Sequence, residues 1–157
     1  MKLLPKIFLI LTLIFVTLPT AAQTEEVGKI FPLQEAVLLF GNVAQERIIP
    51  IESFKFFVAQ TDKFFYARLD SKNVYIAGDN LKPIYPIVQP ETAYNSFSKT
   101  GNDQPVFHKF SKTKVLELIK LYPDARDVKV QNRKEVLTLQ IESSVLEMSY
   151  PCPPYCE

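Results

Sequence analysis

Residues 51–80 read IESFKFFVAQ TDKFFYARLD SKNVYIAGDN, and this stretch decides the fold class. It holds short aromatic and β-branched runs, which favour strands, and polar turn residues separate them. The predicted strands are 54–59, 64–69 and 74–77, and the predicted turns are 61–63, 70–73 and 78–80. Together they predict an antiparallel meander.

The segment before this stretch follows a helical period. Over residues 32–40 the apolar side chains recur at the i, i+3, i+4, i+7 spacing of an amphipathic helix. Pro32 suits the first helical position, and Gly41 suits the residue just past the end. A short helix is therefore favoured here, and a buried strand over 36–40 is the alternative.

A second helix is predicted over residues 111–122. Ser111 is placed to cap the free N–H groups at its start, and Pro123 follows its end. Phe110 and Val115 have the spacing of a hydrophobic staple across this start. These signals make it the clearest helix of the sequence.

The remaining apolar pattern again has the period of strands. Residues 127–150 alternate apolar and polar side chains, which predicts two or three more strands. Pro83 and Pro86 place the segment after the meander at a sheet edge or outside the sheet. No internal repeat is apparent. We therefore predict an α+β fold: an antiparallel sheet, made of the meander and a C-terminal hairpin, with one or two helices packed on one face.

The first 22 residues have the three parts of a secretory signal peptide. Lys2 and Lys6 form a basic start, residues 7–18 are an apolar run interrupted only by threonine, and small residues end the segment. The run has about a dozen residues, whereas a bilayer-spanning helix needs about 20. We expect cleavage after Ala22, a periplasmic or secreted protein, and no membrane span in the mature chain.

The net charge of the chain bears on which kinds of partner it could bind. The chain has 18 Lys and Arg against 17 Asp and Glu, and losing Lys2 and Lys6 leaves 16 against 17, a net charge of −1. A near-neutral domain does not indicate nucleic acid or an anionic membrane surface as partner. We expect one domain over residues 23–150, followed by a Pro- and Cys-rich tail over 151–157 that lies outside the sheet.

Both cysteines of the chain, Cys152 and Cys156, lie in this tail. In an exported protein the default for such a pair is a disulfide. An extended proline-rich path would separate their Cα atoms by about 12 Å, and a disulfide requires less than about 7 Å, so the tail would have to bend. Three interpretations stay open: an intramolecular disulfide, a bridge to another molecule, and a dithiol site for a soft metal such as Cu(I).

The sequence contains no recognisable catalytic or cofactor motif. His108 is the single histidine, which excludes a multi-histidine metal site, and its position before a helix favours a structural or surface role. The four glycines are too widely spaced for a phosphate-binding loop. Asp124 and Asp127 flank a turn without the spacing of a calcium loop. The sequence therefore favours a non-enzymatic protein without a cofactor.

Six aromatic residues crowd two adjacent predicted strands: Phe54, Phe56, Phe57, Phe64, Phe65 and Tyr66. Because some of them are consecutive, both faces of the predicted hairpin carry aromatic rings. One face should belong to the core. The other face should be shielded from water, either by another part of the chain or by a partner protein, because exposed apolar patches mark interaction sites.

Two function hypotheses follow. The first is an exported, non-enzymatic binding or accessory domain that contacts a partner protein through the aromatic hairpin or a sheet edge. The alternative is a thiol- or copper-handling protein that uses Cys152 and Cys156. The polar segment 89–104 is expected to be a solvated connector, with a functional loop as the alternative.

Overall fold

The computed structural model describes residues 26–86, 106–134, 136–147 and 149–152. Within these ranges the helices are α1 Leu33–Phe40, α2 Ile51–Ala59 and α3 Lys112–Leu121. The strands are β1 Lys29–Pro32, β2 Val43–Pro50, β3 Phe64–Leu69, β4 Val74–Ala77, β5 Pro83–Tyr85, β6 Phe107–Ser111, β7 Asp127–Arg133, β8 Val136–Ile141, β9 Ser144–Glu147 and β10 Tyr150–Cys152.

The strands form two five-stranded sheets. Sheet A has the order β1-β9-β8-β7-β2, and sheet B has the order β10-β6-β3-β4-β5. Every pairing in both sheets is antiparallel. The predicted α+β fold with antiparallel strands is thus confirmed, and the strands are divided between two sheets rather than gathered in one.

One hydrophobic core lies between the sheets. It joins side chains from the inner faces of both sheets to the buried faces of α2 and α3. Its largest members include Phe54 of α2, Phe65 of β3, Phe110 of β6, Leu118 of α3 and Leu139 of β8, all fully buried. Burial on this scale is the main favourable contribution to folding.

Helix α1 packs on the other face of sheet A. Ile30 and Leu146 are opposite each other in the ladder and belong to the main core, whereas the next pair, Phe31 and Val145, does not. Because successive strand residues point to opposite faces, this second pair lies on the outer face, where it packs with Ala36 of α1.

Residues 51–59 form a helix, so the predicted strand over 54–59 is wrong. Ile51, Phe54 and Val58 are buried on one helical face, while Phe56 is exposed. The β propensity of phenylalanine and valine describes how they fit a half-buried sheet, and tertiary burial overrides it here. The aromatic hairpin of the sequence prediction therefore does not exist.

Most other predicted helices and strands are confirmed, although some of the contacts expected for them differ. Helices α1 and α3, the strands of residues 64–69 and 74–77, and the strands after Asp127 are present. The proline-flanked segment is the edge strand β5. Ser111 stands at the start of α3, but its Oγ accepts a hydrogen bond from the N–H of Val27 at 2.6 Å and does not cap the helix. Strands β1, β2 and β6 were not predicted.

The tail begins inside a sheet. Strand β10 pairs with β6, with Pro151 opposite His108 and Cys152 opposite Phe107. The expectation that the tail lies outside the sheet is therefore wrong for its first two residues. The predicted signal peptide (1–22), the 89–104 segment and residues 153–157 lie outside the described residues.

The chain contains a structural repeat. The order strand, helix, three strands occurs first as β2-α2-β3-β4-β5 and again as β6-α3-β7-β8-β9. In each unit the last three strands form a meander. The first strand of each unit pairs with the meander of the other, β2 with β7 and β6 with β3. The two units are thus interlocked by exchange of their first strands.

Corresponding residues of the two units occupy corresponding register positions. Ala67 lies opposite Ile76 in the first meander, and Val130 lies opposite Leu139 in the second. All four side chains belong to the same core. Only their apolar character is shared, which explains why no repeat is apparent in the sequence.

Candidate functional site

A cleft opens where the free edge of sheet A faces sheet B. Residues 47–50 of β2 form one wall, and the β3–β4 turn with Tyr85 and Pro86 forms the other. Phe57 of α2 also lines it, and the cavity has a volume of about 230 Å³. The site is therefore built from both sheets and one helix.

Aromatic rings close one end of this cleft. Phe57 stacks on Tyr85, with ring centroids 5.1 Å apart and planes inclined by 30°. Phe56 lies beside Phe57 at 6.3 Å in an edge-to-face arrangement and is 64% exposed. A solvated aromatic surface therefore continues from the cleft onto helix α2.

Arg47 ties the edge strand to the opposite wall. Its guanidinium donates hydrogen bonds to the backbone carbonyls of Lys72, at 3.3 Å, and of Ser71. Its Nη1 also donates to the carbonyl of Glu46 at 2.7 Å. Sheet A and the β3–β4 turn of sheet B are thereby held at a fixed separation.

Asp70 shapes the turn that receives Arg47. Its Oδ1 accepts hydrogen bonds from the backbone N–H groups of Lys72 at 2.8 Å and Asn73 at 2.7 Å. Partial burial raises the pKa of Asp70, but these N–H groups, with the Tyr75 hydroxyl and the charge of Arg68, together outweigh that effect, so its pKa lies below the ordinary value. The predicted turn at 70–73 is confirmed, and its carbonyls are presented to β2.

Strand β2 is the longest free edge among the described strands. The other three strands that end a sheet, β1, β5 and β10, have only three or four residues, and each includes a proline. β2 has eight residues with proline only at its last position. Its Ile48 is 57% exposed. Natural proteins usually shorten or block such edges because free backbone groups recruit another strand.

The structural repeat gives β2 an equivalent whose edge is not free. β6 occupies the corresponding place in the second unit, and β10 pairs along it. No described strand pairs with the corresponding edge of β2. Among the described residues, therefore, a strand of the chain occupies only one of the two equivalent positions.

The six predicted partner-binding aromatics do not form one surface. They lie in three ring pairs: Phe54–Phe65, Phe56–Phe57 and Phe64–Tyr66. Phe54 and Phe65 meet edge to face in the core at 5.2 Å. Tyr66 is buried on the outer side of sheet B beside Phe107, and burial and then the charge of Asp79 raise its pKa.

Phe64 is half-buried, with Lys109 Nζ 4.3 Å from its ring centroid. Phe56 is exposed, and Phe57 lines the cleft described above. Of the six, therefore, only these last two contribute to the candidate site.

The cysteine pair lies at the limit of the described residues. Cys152 is in β10, and Cys156 lies outside the described residues, so a bond between them stays a prediction. His108 Nδ1 is 2.8 Å from Ser149 Oγ. Burial lowers the pKa of His108 to about 4, which keeps the ring neutral at ordinary pH and fits a structural role.

Asp124, on the connection between α3 and β7, and Asp127, the first residue of β7, are both exposed. In the part of the chain that the structure describes, no group of three or more metal-binding side chains comes together. Neither aspartate is therefore part of a group of described side chains that could bind a metal ion.

Sequence reasoning missed Arg47, Ile48 and Tyr85. The prolines flanking Tyr85 did signal a sheet edge. Residues 43–50 have no clear apolar alternation because most of their side chains are exposed. A strand that packs so few apolar side chains leaves little pattern to detect.

Comparison with known proteins finds no matching family model, no significantly similar curated protein and no significantly similar solved structure. None of the helices in the described residues has the length and hydrophobicity needed to cross a membrane. The function must therefore be argued from the site itself.

Proposed function

We propose that this chain is an exported, non-enzymatic binding domain that takes up an extended segment of a partner protein along strand β2. The observation that carries the proposal is the eight-residue edge of β2, with which no described strand pairs, whereas its structural equivalent β6 is paired by β10. An added strand would hydrogen-bond to the edge, and neighbouring pockets would select its side chains.

The cleft supplies such a pocket. It lies directly beside residues 47–50 and is walled by Phe57 and Tyr85. Apolar and aromatic side chains of a bound segment would lose water there, and Ile48 would be covered on the outer face. In this proposal the aromatic residues that contact the partner protein are Phe57 and Phe56, not the predicted aromatic hairpin.

The experiment is site-specific photo-crosslinking in the native envelope. A photoreactive phenylalanine analogue replaces Ile48 in one variant and Leu121 in another, because Leu121 is also an exposed apolar residue, 52% exposed, but lies on α3. The Ile48 position should give a discrete adduct that the Leu121 position lacks. The crosslinked protein is then identified and purified for binding tests.

The mode of binding is tested on the purified complex by amide hydrogen exchange. Strand addition should slow exchange of amides within Val43–Pro50, because new hydrogen bonds would protect that edge. Ile48→Lys should weaken the complex, and Leu121→Lys should not. Equal adducts from both positions, or unchanged exchange in β2, would overturn the proposal.

A further inference from the structure

The two units of the repeat agree in the register of their first strands. The last residue of each first strand lies opposite the first residue of a meander: Pro50 opposite Asp127, and Ser111 opposite Phe64. Counted back from these pairs, three residues of β2 correspond to three of β6, namely Ile48 to Lys109, Arg47 to His108, and Glu46 to Phe107. The strand that pairs with β6 is therefore a template for a strand added to β2.

Strand β10 shows how the edge of β6 is used. It runs antiparallel to β6, with Pro151 opposite His108 and one paired residue on either side. Because proline has no N–H group and the hydrogen-bonded pairs of an antiparallel ladder alternate, the two flanking residues are the ones placed to donate. Transferred to β2, these flanking positions lie opposite Ile48 and Glu46.

Alternation decides which side chains of an added strand enter the cleft. Ile49 belongs to the main core between the sheets, so Arg47 is on the same face of β2 and Ile48 is on the outer face. Residues directly opposite each other in a ladder share a face. The added residues opposite Ile49 and Arg47 would therefore point into the cleft, and the residue between them would cover Ile48.

The end of the cleft next to helix α2 is aromatic. Ile49, Phe57 and Tyr85 all line the cleft, and the rings of Phe57 and Tyr85 stack at 5.1 Å. Tyr85 is 38% exposed, so its ring is accessible from the cleft. An aromatic side chain opposite Ile49 would pack against these rings and lose water.

The other end of the cleft carries two cations. Arg47 donates to the backbone carbonyls of Glu46, Ser71 and Lys72 and has no carboxylate partner among the described residues. The oxygen of Glu46 keeps a second lone pair for an added strand. Lys72 is exposed, and its ammonium group forms no ion pair within the described ranges.

These two positive charges are not balanced by nearby acids. No acidic side chain is among the described residues that line the cleft. The described acids that are close to lining residues in the chain bond elsewhere: Asp70 to Arg68, Glu52 to Lys55, and Glu46 to Gln131. This end of the cleft is therefore complementary to an acidic side chain.

We infer that the segment bound at β2 runs antiparallel to it and carries an aromatic residue, then an apolar residue, then an acidic residue. The aromatic side chain lies opposite Ile49, the apolar one covers Ile48, and the acidic one lies opposite Arg47 beside Lys72. The pattern rests on the proposed function, because it describes the segment bound at the same edge. A segment added parallel to β2 would need the reverse order.

The test is an NMR titration of the purified mature protein with three synthetic peptides. The first is Ser-Thr-Phe-Val-Glu-Thr-Ser, the second exchanges its phenylalanine and glutamate, and the third has glutamine in place of glutamate. The first peptide should bind saturably and shift the amides of Val43–Pro50. It should bind at least about fivefold more tightly than either of the others.

A nitroxide label on the first peptide reports the direction. A label at the peptide's N-terminus should broaden the amide signals of Ser53 and Phe57 more than that of Gln45, because antiparallel addition places this end next to α2. A label at the C-terminus should give the opposite order. The reverse of this pattern would overturn the antiparallel direction.

A charge variant locates the acidic side chain. Lys72→Glu should bind the first peptide at least about fivefold more weakly and the glutamine peptide as tightly as the wild type does. Lys120→Glu makes the same change at an exposed position on α3 and should leave binding of both peptides unchanged. Equal losses for the two peptides in Lys72→Glu would show that this lysine does not face the acid.

Failure of the inferred pattern is distinguishable from failure of the proposed function. If the second or third peptide binds as tightly as the first and shifts the same β2 amides, strand addition stands and the inferred pattern is wrong. If no peptide binds, or the shifts lie away from β2, the pattern is also overturned. Photo-crosslinking from Ile48 in the native envelope then decides separately whether β2 contacts a partner.

Discussion

Phe57 stacks on Tyr85, and this contact joins helix α2 to the edge strand of sheet B. Strand β5 has only three residues and includes Pro83, which cannot donate a ladder hydrogen bond. Its backbone pairing with β4 is also interrupted by an irregularity. The aromatic stack and Ile84, which packs against the main core, therefore both help to hold this wall of the cleft in place.

Tyr85→Ala should loosen this wall. We expect a loss of about 1–2 kcal/mol in the free energy of unfolding, from the aromatic pair and the apolar area it buries. Amide exchange should become faster in β5 and stay unchanged in β7 and β8. Tyr85→Phe keeps the ring and should behave like the wild type. A Tyr85→Ala protein with unaltered exchange in β5 would contradict this role.

Phe54 and Phe56 should respond very differently to truncation. In a helix over Ile51–Ala59, Phe54 is fully buried and Phe56 is exposed. Phe54→Ala should therefore cost about 3–5 kcal/mol of unfolding free energy in urea titrations, and Phe56→Ala less than about 0.5 kcal/mol. In the strand first predicted, both rings would lie on one face and both variants would lose comparable stability.

The same residues show how far the sequence predicts this fold. Over residues 54–58, alternation and aromatic content indicated a strand, while Ile51, Phe54 and Val58 also fit a helical face. Whether this segment forms a strand or a helix is determined only by its long-range packing between the two sheets. Strand β2 escaped prediction because few of its side chains are buried, and the candidate site lies along it. The fold class, most strands and helix α3 were predictable because their apolar periods are clear. Helix α1 was favoured over a buried strand because Pro32 and Gly41 mark its two ends.

Asp79 should be a strong local contributor to stability. Its carboxylate accepts hydrogen bonds from the backbone N–H groups of Asp62 at 2.7 Å, Lys63 at 3.1 Å and Phe64 at 3.1 Å. Asp79→Ala would leave these donors to water or unsatisfied, with an expected cost of about 1–3 kcal/mol in urea unfolding. Asp124→Ala, at an exposed turn, should cost less than about 0.5 kcal/mol. Equal effects would rule out this role of the Asp79 carboxylate.

Export is open to a direct chemical test. The basic start and short apolar run of residues 1–22 predict removal of this segment by signal peptidase. Protein isolated from the envelope or medium of its native host should therefore begin near Gln23, as read by N-terminal sequencing or intact mass. Replacing the apolar residues Leu11 and Leu13 with lysine should keep the precursor uncleaved inside the cell. A folded mature protein that retains Met1 would contradict the predicted localisation.

His108 should make the domain less stable in mild acid. Burial lowers its pKa from 6.5 to about 4, and its Nδ1 is 2.8 Å from Ser149 Oγ. As pH falls from about 6.5 to about 4, the unfolded chain takes up a proton at this residue before the folded protein does, so stability falls with pH. Between about pH 7 and about pH 5 the expected loss from this residue is about 2 kcal/mol. His108→Gln retains a polar side chain without the titration and should abolish that part of the loss. Urea unfolding of both proteins at the two pH values provides the measurement, and parallel pH dependences would show that His108 is not the group responsible.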